Sequence, residues 1–467
     1  MLSTPSKRAL FTTFALTSTL LGCNDGPRPA FRIEVVNAQG QSPILGVATG
    51  RIDVLVTQRT DRDVEERRSA TIEGGTFQLE VPVSDYVSLT HIDIDLLRDG
   101  SELYGSTVEF SPWHYGFVRI VVVPAGTCET VSTQALATPR AGHAMLTLGD
   151  LTFGIGGVRA DGAPIQSIEG WGTAQLTSVI ANQAPDQLDQ AEPRVRAIPL
   201  DFSSALIAGS RFSIYDKNSE LPAADLNIPL AGVHEGAGEF SALADLGTNF
   251  GVAIIGGVST PSISWVLSRT VTTSAMPQPR REATAMRLAS GSELLVVGGN
   301  DDGNALGAIV PTSAGLRNNV VSFGPTDARR GGWLAASPDR RSALYVGSRD
   351  GTDTLTPETF LITGCPTACT VTPGPMWNEA RENATFVDDP EGTTWILGGL
   401  EGAASVSTVE RIEWDGATPR FTTSGALRTP RESAAAIHLA GGMILISGGR
   451  NGTTMLSDFE LCAPASR

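Results

Sequence analysis

Arginines recur through the second part of the chain, each ahead of a short aliphatic run that ends in glycine. The arginines that lie at a nearly constant distance before this run are Arg140, Arg281, Arg330, Arg381 and Arg431. A guanidinium group can hold a carboxylate through two parallel hydrogen bonds, so arginines on one surface could bind an anionic or sugar-like ligand. The same side chains could instead tie each turn to its neighbour through backbone carbonyls. The sequence leaves both interpretations open.

Acidic residues accompany this arginine series. Asp301 and Asp302 follow one of the glycine pairs in the run Asn300–Gly303, and we place them on the same candidate ligand face, together with the loops Arg349-Asp-Gly351 and Arg450-Asn-Gly452. Runs of Asn, Asp and Gly are also typical of tight turns, and calcium would need alternating carboxylates that this run lacks. The sequence contains no Gly-x-Ser-x-Gly, P-loop or His-Glu-x-x-His motif. It therefore predicts no catalytic residue, metal ligand or cofactor.

The amino-terminal residues have the features of an export signal. Lys7 and Arg8 precede an apolar stretch over residues 9–21, which is too short to span a bilayer permanently. The sequence Leu20-Leu-Gly-Cys23 resembles the lipobox of bacterial lipoproteins. That resemblance implies a signal peptide over residues 1–22, lipid on Cys23, a tether over residues 23–30 and a bacterial cell envelope location, at the outer membrane or cell surface. A simple secretory signal with an incidental cysteine is the alternative.

Composition limits the remaining possibilities. The net charge is −16 and the chain has no basic stripe, so we expect no nucleic-acid partner. Glycine is abundant, with 51 residues, whereas charged residues make up only 18%. Many turns and few charges favour an all-β fold. A length of 467 residues implies more than one domain, and we expect a monomer.

Residues 31–124 predict a small domain of short strands. Apolar and polar residues alternate in five segments, as in strands with one buried face. These segments are Phe31–Val36, Arg51–Val56, Phe77–Val81, His91–Leu96 and Phe117–Val123. Several short strands in fewer than a hundred residues favour a β-sandwich of immunoglobulin-like architecture.

The remaining residues, from 128 to 467, contain an internal repeat. An aliphatic run ending in glycine recurs at intervals of 42 to 52 residues. The seven copies end at positions 157, 209, 257, 299, 348, 399 and 449. A repeat of this length predicts one four-stranded sheet per copy, with the sheets arranged radially as a β-propeller.

The arginine, a strand rich in small residues and the aliphatic run ending in Gly-Gly together resemble the kelch repeat. Trp171 and Trp414 fit the tryptophan that this family places in the third strand. The resemblance implies a seven-bladed, galactose oxidase-like propeller. In that family the amino-terminal strand commonly completes the last blade. We therefore expect a disulfide between Cys128 and Cys462 across that closure.

A second expected disulfide, Cys365–Cys369, would lie at a turn between the third and fourth strands of the fifth blade. Zinc is the alternative for this Cys-Pro-Thr-Ala-Cys segment, although no further ligand lies nearby in sequence.

Function is less constrained than fold. The copper site of galactose oxidase uses Tyr and His, and this propeller offers Tyr215, Tyr345, His143, His234 and His438. With its cysteines assigned to disulfides, we expect no copper radical site. We expect a non-enzymatic binding or scaffolding protein for protein or carbohydrate ligands. The alternative is a carbohydrate-active hydrolase or lyase with carboxylates on the arginine-bearing face.

Overall fold

A computed structural model describes most of the chain. The described residues are 32–44, 47, 49–59, 64–73, 89–107, 109–110, 117–149, 151–172, 177–178, 186–201, 203–209, 211–217, 227–233, 241–246, 251–257, 261–267, 270–300, 303–389 and 392–465. Several sequence predictions lie outside these residues: the signal peptide, Cys23 and its tether, the strand at Phe77–Val81, His234, Asp301 and Asp302.

The amino-terminal region forms one six-stranded sheet in its described residues. Its strands are β1 (Arg32–Asn37), β2 (Thr49–Arg59), β3 (Val64–Glu73), β4 (Leu89–Arg98), β5 (Ser101–Ser106) and β6 (Phe117–Pro124). The spatial order is β1-β6-β5-β4-β2-β3, with β1 and β6 parallel. Four of the five predicted strands are thus confirmed, whereas the two-sheet sandwich stays a prediction.

Nine further sheets follow in the described residues; seven of them are the blades of a propeller and two are two-stranded hairpins. Blade 1 contains β8 (Ala144–Leu148), β9 (Leu151–Ile155), β10 (Ile165–Gly172), β11 (Thr177–Ser178) and β12 (Asp186–Glu192). Blade 2 contains β13 (Arg196–Pro199), β14 (Ser204–Ala208), β15 (Phe212–Asp216) and β16 (Asn227–Pro229). Blade 3 contains β17 (Ala242–Asp245), β18 (Gly251–Ile255), β19 (Ser262–Leu267) and β20 (Thr270–Ala275).

Blades 4 and 5 repeat the four-stranded pattern. Blade 4 contains β21 (Thr284–Arg287), β22 (Glu293–Val297), β23 (Gly307–Pro311) and β24 (Val321–Phe323). Blade 5 contains β25 (Arg330–Ala336), β26 (Ala343–Arg349), β27 (Phe360–Thr363) and β28 (Thr370–Pro373).

Blades 6 and 7 each carry an additional small hairpin. Blade 6 contains β29 (Thr385–Asp388), β30 (Thr394–Leu397), β33 (Thr408–Asp415) and β34 (Thr418–Ala426), with the hairpin β31 (Leu400–Glu401) and β32 (Ala404–Ser405). Blade 7 contains β35 (Ala435–Leu439), a 3₁₀ turn (Ala440–Gly442), β36 (Met443–Ser447) and β39 (Asp458–Cys462), with the hairpin β37 (Arg450–Asn451) and β38 (Thr454–Met455).

The fourth strand of blade 7 comes from the start of the propeller sequence. Strand β7 (Cys128–Ala135) pairs antiparallel with β39, and their register places Cys128 opposite Cys462. These two residues form a disulfide, and Cys365 forms the second one with Cys369. The predicted ring closure, both disulfides and the all-β seven-bladed propeller fold are therefore confirmed.

The glycine pairs lie where the backbones of neighbouring blades are in direct contact. The N–H of Gly399 in blade 6 donates to the carbonyl oxygen of Arg431 in blade 7 at 2.8 Å. A Cβ atom on Gly398 would lie 2.1 Å from that same oxygen, and Gly398 has a φ of 58°. Only glycine tolerates both the left-handed backbone and this contact at low cost. The repeated glycine is thus a consequence of radial crowding.

The amino-terminal sheet and blade 7 share a hydrophobic core. Val121 and Val123 of β6 point to the opposite side of the sheet from Ile120 and Val122, because side chains alternate along a strand. They pack in one buried cluster with Leu461 of β39 and its neighbours in blade 7. Strands β4 and β5 also contact the 3₁₀ turn of blade 7. No helix long and apolar enough to cross a membrane occurs among the described residues.

Candidate functional site

Among the described residues, four arginines are buried inside the blades. Arg140, Arg280, Arg381 and Arg431 are at most 4% exposed. Each guanidinium group donates to the carbonyl oxygen of the first residue of the glycine pair in its own blade. The acceptors are Gly156 at 3.0 Å, Gly298 at 2.6 Å, Gly398 and Gly448 at 2.8 Å. These arginines therefore fix the end of the second strand to the turn that precedes the first strand.

Three of these arginines have a buried carboxylate partner. Arg140 pairs with Glu169, Arg381 with Glu410 at 2.6 Å and Arg431 with Glu460. Each glutamate lies in the third strand, opposite the residue two positions before the first glycine. Burial lowers the pKa of Arg140, and the nearby Glu169 opposes that effect.

Blades 4 and 5 carry other residues at the glutamate position. In blade 4, strand register places Ala308 there. Arg280 donates to the backbone carbonyls of Ala305 and Leu306, each at 2.9 Å. Burial lowers the pKa of Arg280 to about 10. In blade 5 the position holds Phe360, and the guanidinium of Arg329 lies 5.0 Å from its ring centroid.

This geometry corrects the predicted ligand role of Arg140, Arg381 and Arg431, whereas the role of Arg281 and Arg330 stays a prediction. The guanidinium groups of Arg140, Arg381 and Arg431 bond to the blade interior and do not face a ligand. In blades 4 and 5 the structural positions belong to Arg280 and Arg329. Arg281 and Arg330 are their immediate neighbours, and Arg281 is exposed. The buried arginines instead follow the alternative interpretation, in which each one ties its turn to backbone carbonyl oxygens.

A collar of left-handed residues follows these arginine positions. Two residues after each structural arginine, the backbone φ lies between 50° and 67°. The members are Gly142, Glu282, Gly331, Asn383 and Ser433. Their peptide groups are linked between blades: Gly142 N–H donates to Ser433 O at 2.8 Å, and Ser433 N–H donates to Asn383 O at 2.9 Å. Gly331 N–H donates to Glu282 O at 2.8 Å in the same way. These bonds link blades 6, 7 and 1 and, separately, blades 4 and 5 along the rim.

A cavity of about 540 Å³ opens inside this collar. It lies where the first strands begin and the second strands end, at the axis of the ring, and we call it the mouth. Its polar lining residues are His143, Arg194, Arg196, Glu282, Arg349, Asp353, Asn383, Thr385 and Ser433. The lining combines guanidinium, carboxylate, amide and hydroxyl groups, which suits a small polar ligand.

Two of the charged side chains at the mouth, Arg196 and Arg349, are held by neighbouring groups. Arg349 donates to the carbonyl oxygen of Asp353 at 2.8 Å and forms an ion pair with Glu382 at 3.0 Å. Arg196 donates to the carbonyl oxygen of Ser241 in the next blade at 2.9 Å. Held side chains lose less conformational entropy when a ligand binds.

His143 lies at the base of the mouth and is buried. Its Nε2 atom is 2.9 Å from the hydroxyl oxygen of Ser447, which itself donates to the sulfur of Met145. Burial, together with the charge of Arg140, lowers the pKa of His143 to about 3. The imidazole is therefore neutral at physiological pH. Its Nδ1 atom has no hydrogen-bond partner among the described residues.

The copper site of galactose oxidase does not fit the residues present. Tyr215 and Tyr345 are buried in the cores of different blades. The hydroxyl of Tyr345 donates to the carbonyl oxygen of Gly331 at 2.6 Å, and burial raises its pKa. Over the described part of the chain, no three His, Cys, Asp or Glu side chains lie together as metal ligands would. We derive no chemistry through copper.

Two solved structures with a similar fold were compared with the chain. The structure of YjhT matches with a TM-score of 0.41 and 9% sequence identity, covering 70% of this chain and 96% of that one. A fungal alcohol oxidase of the AA5 family, in complex with copper, matches with a TM-score of 0.37 and 15% identity, covering 72% and 76%. No protein-family model and no curated protein matches. The similarity concerns the kelch and galactose oxidase-like fold alone.

Sequence reasoning missed two of the three mouth arginines. Arg194 and Arg196 belong to blade 2, the copy of the repeat that matches the motif least. Arg349 lies in the Arg-Asp-Gly loop that the sequence placed on the same face as the arginine series.

Proposed function

We propose that the protein is an exported binding protein of the bacterial cell envelope that receives a small polar ligand, such as an oligosaccharide, at the mouth. The observation that carries this proposal is the polar cavity of about 540 Å³ inside a hydrogen-bonded collar. Sites for small ligands in proteins commonly have volumes of about 300–1,000 Å³. A cavity of this size accommodates a few sugar units but not a folded partner.

Export and lipid anchoring are supported by sequence and covalent structure together. The segment ending in Cys23 resembles a lipobox, and the two disulfides are of the kind that persists in oxidising compartments. The amino-terminal sheet contacts the 3₁₀ turn of blade 7, which lies at the face opposite the mouth. A tether attached to this sheet would leave the mouth accessible.

A binding role agrees with the charges at the mouth. The carboxylates among its described lining residues are Glu282 and Asp353. A glycoside hydrolase would need this pair as its acid and its base or nucleophile. In a binding protein, these two carboxylates only contribute local charge. Replacing them with amides therefore separates the two functions.

A glycan array probed with the purified full-length protein tests the proposal. We expect selective binding to a small group of glycans. The E282Q/D353N variant should retain that binding, and the wild type should release no new reducing ends from the bound glycans. Absence of any selective binding would contradict the proposed function. Cleavage that E282Q/D353N abolishes would instead establish the hydrolase.

A further inference from the structure

Blade 2 departs from the repeat at the point where blades 1, 4, 5, 6 and 7 carry their structural arginine. The N–H of Gly157 donates to the carbonyl oxygen of Glu192 at 2.9 Å, just as Gly449 donates to Arg140. Glu192 thus occupies the position of the structural arginine in blade 2, and it is 4% exposed. The arginines of this blade come two and four residues later, as Arg194 and Arg196.

Because its arginines come after the structural position, blade 2 carries its positive charge at the mouth and not in the blade interior. Two residues after their structural arginine, blades 1, 6 and 7 carry Gly142, Asn383 and Ser433. Four residues after it, the same blades carry Ala144, Thr385 and Ala435. Blade 2 alone among these four has long cationic side chains at both positions, and both line the cavity.

We propose that blade 2 is the specificity-determining sector of the mouth, where Arg194 and Arg196 bind a carboxylate group of the ligand. Two guanidinium groups on one strand end can each direct N–H donors at the same pair of oxygens. The donation from Arg196 to Ser241 O holds one of them in place against blade 3. This inference rests on the proposed function, and it narrows the ligand to acidic glycans.

The test replaces the two arginines with the residues that blade 7 carries at the same positions. The probe is a glycan array that displays each acidic glycan beside its methyl-esterified form, with full-length protein. We expect the wild type to prefer the acidic forms at least tenfold, and the R194S/R196A variant to lose that preference. The matched control is R420Q, because Arg420 is exposed on the outer strand β34, where it pairs with Glu413.

The possible outcomes separate this inference from the proposed function. If the wild type binds no glycan selectively, both fail. If it binds only neutral glycans, or if R194S/R196A keeps the acid preference, the mouth is a binding site but blade 2 does not determine its specificity. Equal losses in R194S/R196A and R420Q would also overturn the inference, because they would show a general effect of charge. Thermal melting of R194S/R196A at the wild-type temperature would establish that the variant is folded.

Discussion

Gly449 in the last blade donates its backbone N–H to the carbonyl oxygen of Arg140 in the first blade, at 2.8 Å. The same bond joins Gly257 to Arg280 and Gly399 to Arg431. The junction between the ends of the propeller is therefore built like the junctions inside it. It differs from them in containing a chain break. The pairing of β7 with β39 and a disulfide bridge this break.

The disulfide at this closure should contribute more stability than the other one. Cys128 and Cys462 are 334 residues apart, whereas Cys365 and Cys369 are separated by 4. Chain entropy gives about 6 kcal/mol for the long loop and about 2 kcal/mol for the short one. We expect C128S/C462S to lower the urea midpoint far more than C365S/C369S. Equal midpoints for the two variants would show that the closing strand is held by packing alone.

Removing a structural arginine should cost more where a carboxylate depends on it. In R431M, Glu460 would stay buried without its partner, at a cost of about 3–5 kcal/mol. The R280M variant leaves no such buried carboxylate, because strand register places Ala308 at the position of the glutamate. Burial also already lowers the pKa of the guanidinium group that this variant removes. We expect R280M to lose at most half as much unfolding free energy, measured by urea denaturation. A larger loss in R280M would contradict this assignment.

Two glycines with nearly the same positive φ provide a test of blade crowding. Gly448 and Gly452 have φ values of 57° and 58°. A Cβ atom on Gly448 would lie 2.6 Å from Arg140 O, whereas on Gly452 it would meet nothing within 4 Å. We expect G452A to cost about 1 kcal/mol for the left-handed backbone, and G448A about 2–4 kcal/mol because overpacking is added. Similar unfolding free energies for the two variants would argue against crowding at the closure.

Buried histidines should make the protein less stable in mild acid. The pKa of His143 is about 3 in the folded protein, below the value of about 6.5 in an unfolded chain. The unfolded chain therefore binds the proton first, and stability falls as the pH drops below about 6.5. The loss from this group is about 2 kcal/mol between pH 6.5 and 5.

The H143Q variant should show a shallower dependence of unfolding free energy on pH over that interval. Burial also lowers the pKa of His438, although Asp389 opposes the effect, so H143Q/H438Q should be shallower still. Urea denaturation at pH 7, 6 and 5 measures this dependence. Parallel curves for H143Q and the wild type would show that His143 is not buried in its neutral form.

Periodicity predicted the propeller because the glycine pairs, the aliphatic strands and the closing cysteines all reflect contacts that recur in every blade. The same method missed the structural arginine by one residue in blades 4 and 5. Both places contain two consecutive arginines, Arg280-Arg281 and Arg329-Arg330. A constant spacing in sequence to the glycine selects the second arginine of each pair. In these two blades the hairpin between the arginine and the glycine is longer, so the first arginine occupies the structural position.

The cationic side chains that blade 2 contributes to the mouth could not be predicted from the repeat, because they lie where the repeat fails. Arg194 and Arg196 belong to a blade that lost its motif, so no periodic signal marks them. Glu169, Glu410 and Glu460, in contrast, could have been found from the sequence. Each follows its arginine by 29 residues, and that constant spacing indicates a buried pair and not a free ligand face.

The last turn before the propeller, at residues 125–127, has a mechanical consequence. It joins β6 directly to β7, so tension applied to the amino-terminal sheet reaches the ring through its closing strand. Hydrogen bonds alone would let that strand peel away one pair at a time. The covalent link between Cys128 and Cys462 lies at the first pair to be loaded, and it would pass the force to the carboxyl-terminal strand. The disulfide would therefore keep the ring closed when the amino-terminal sheet is pulled.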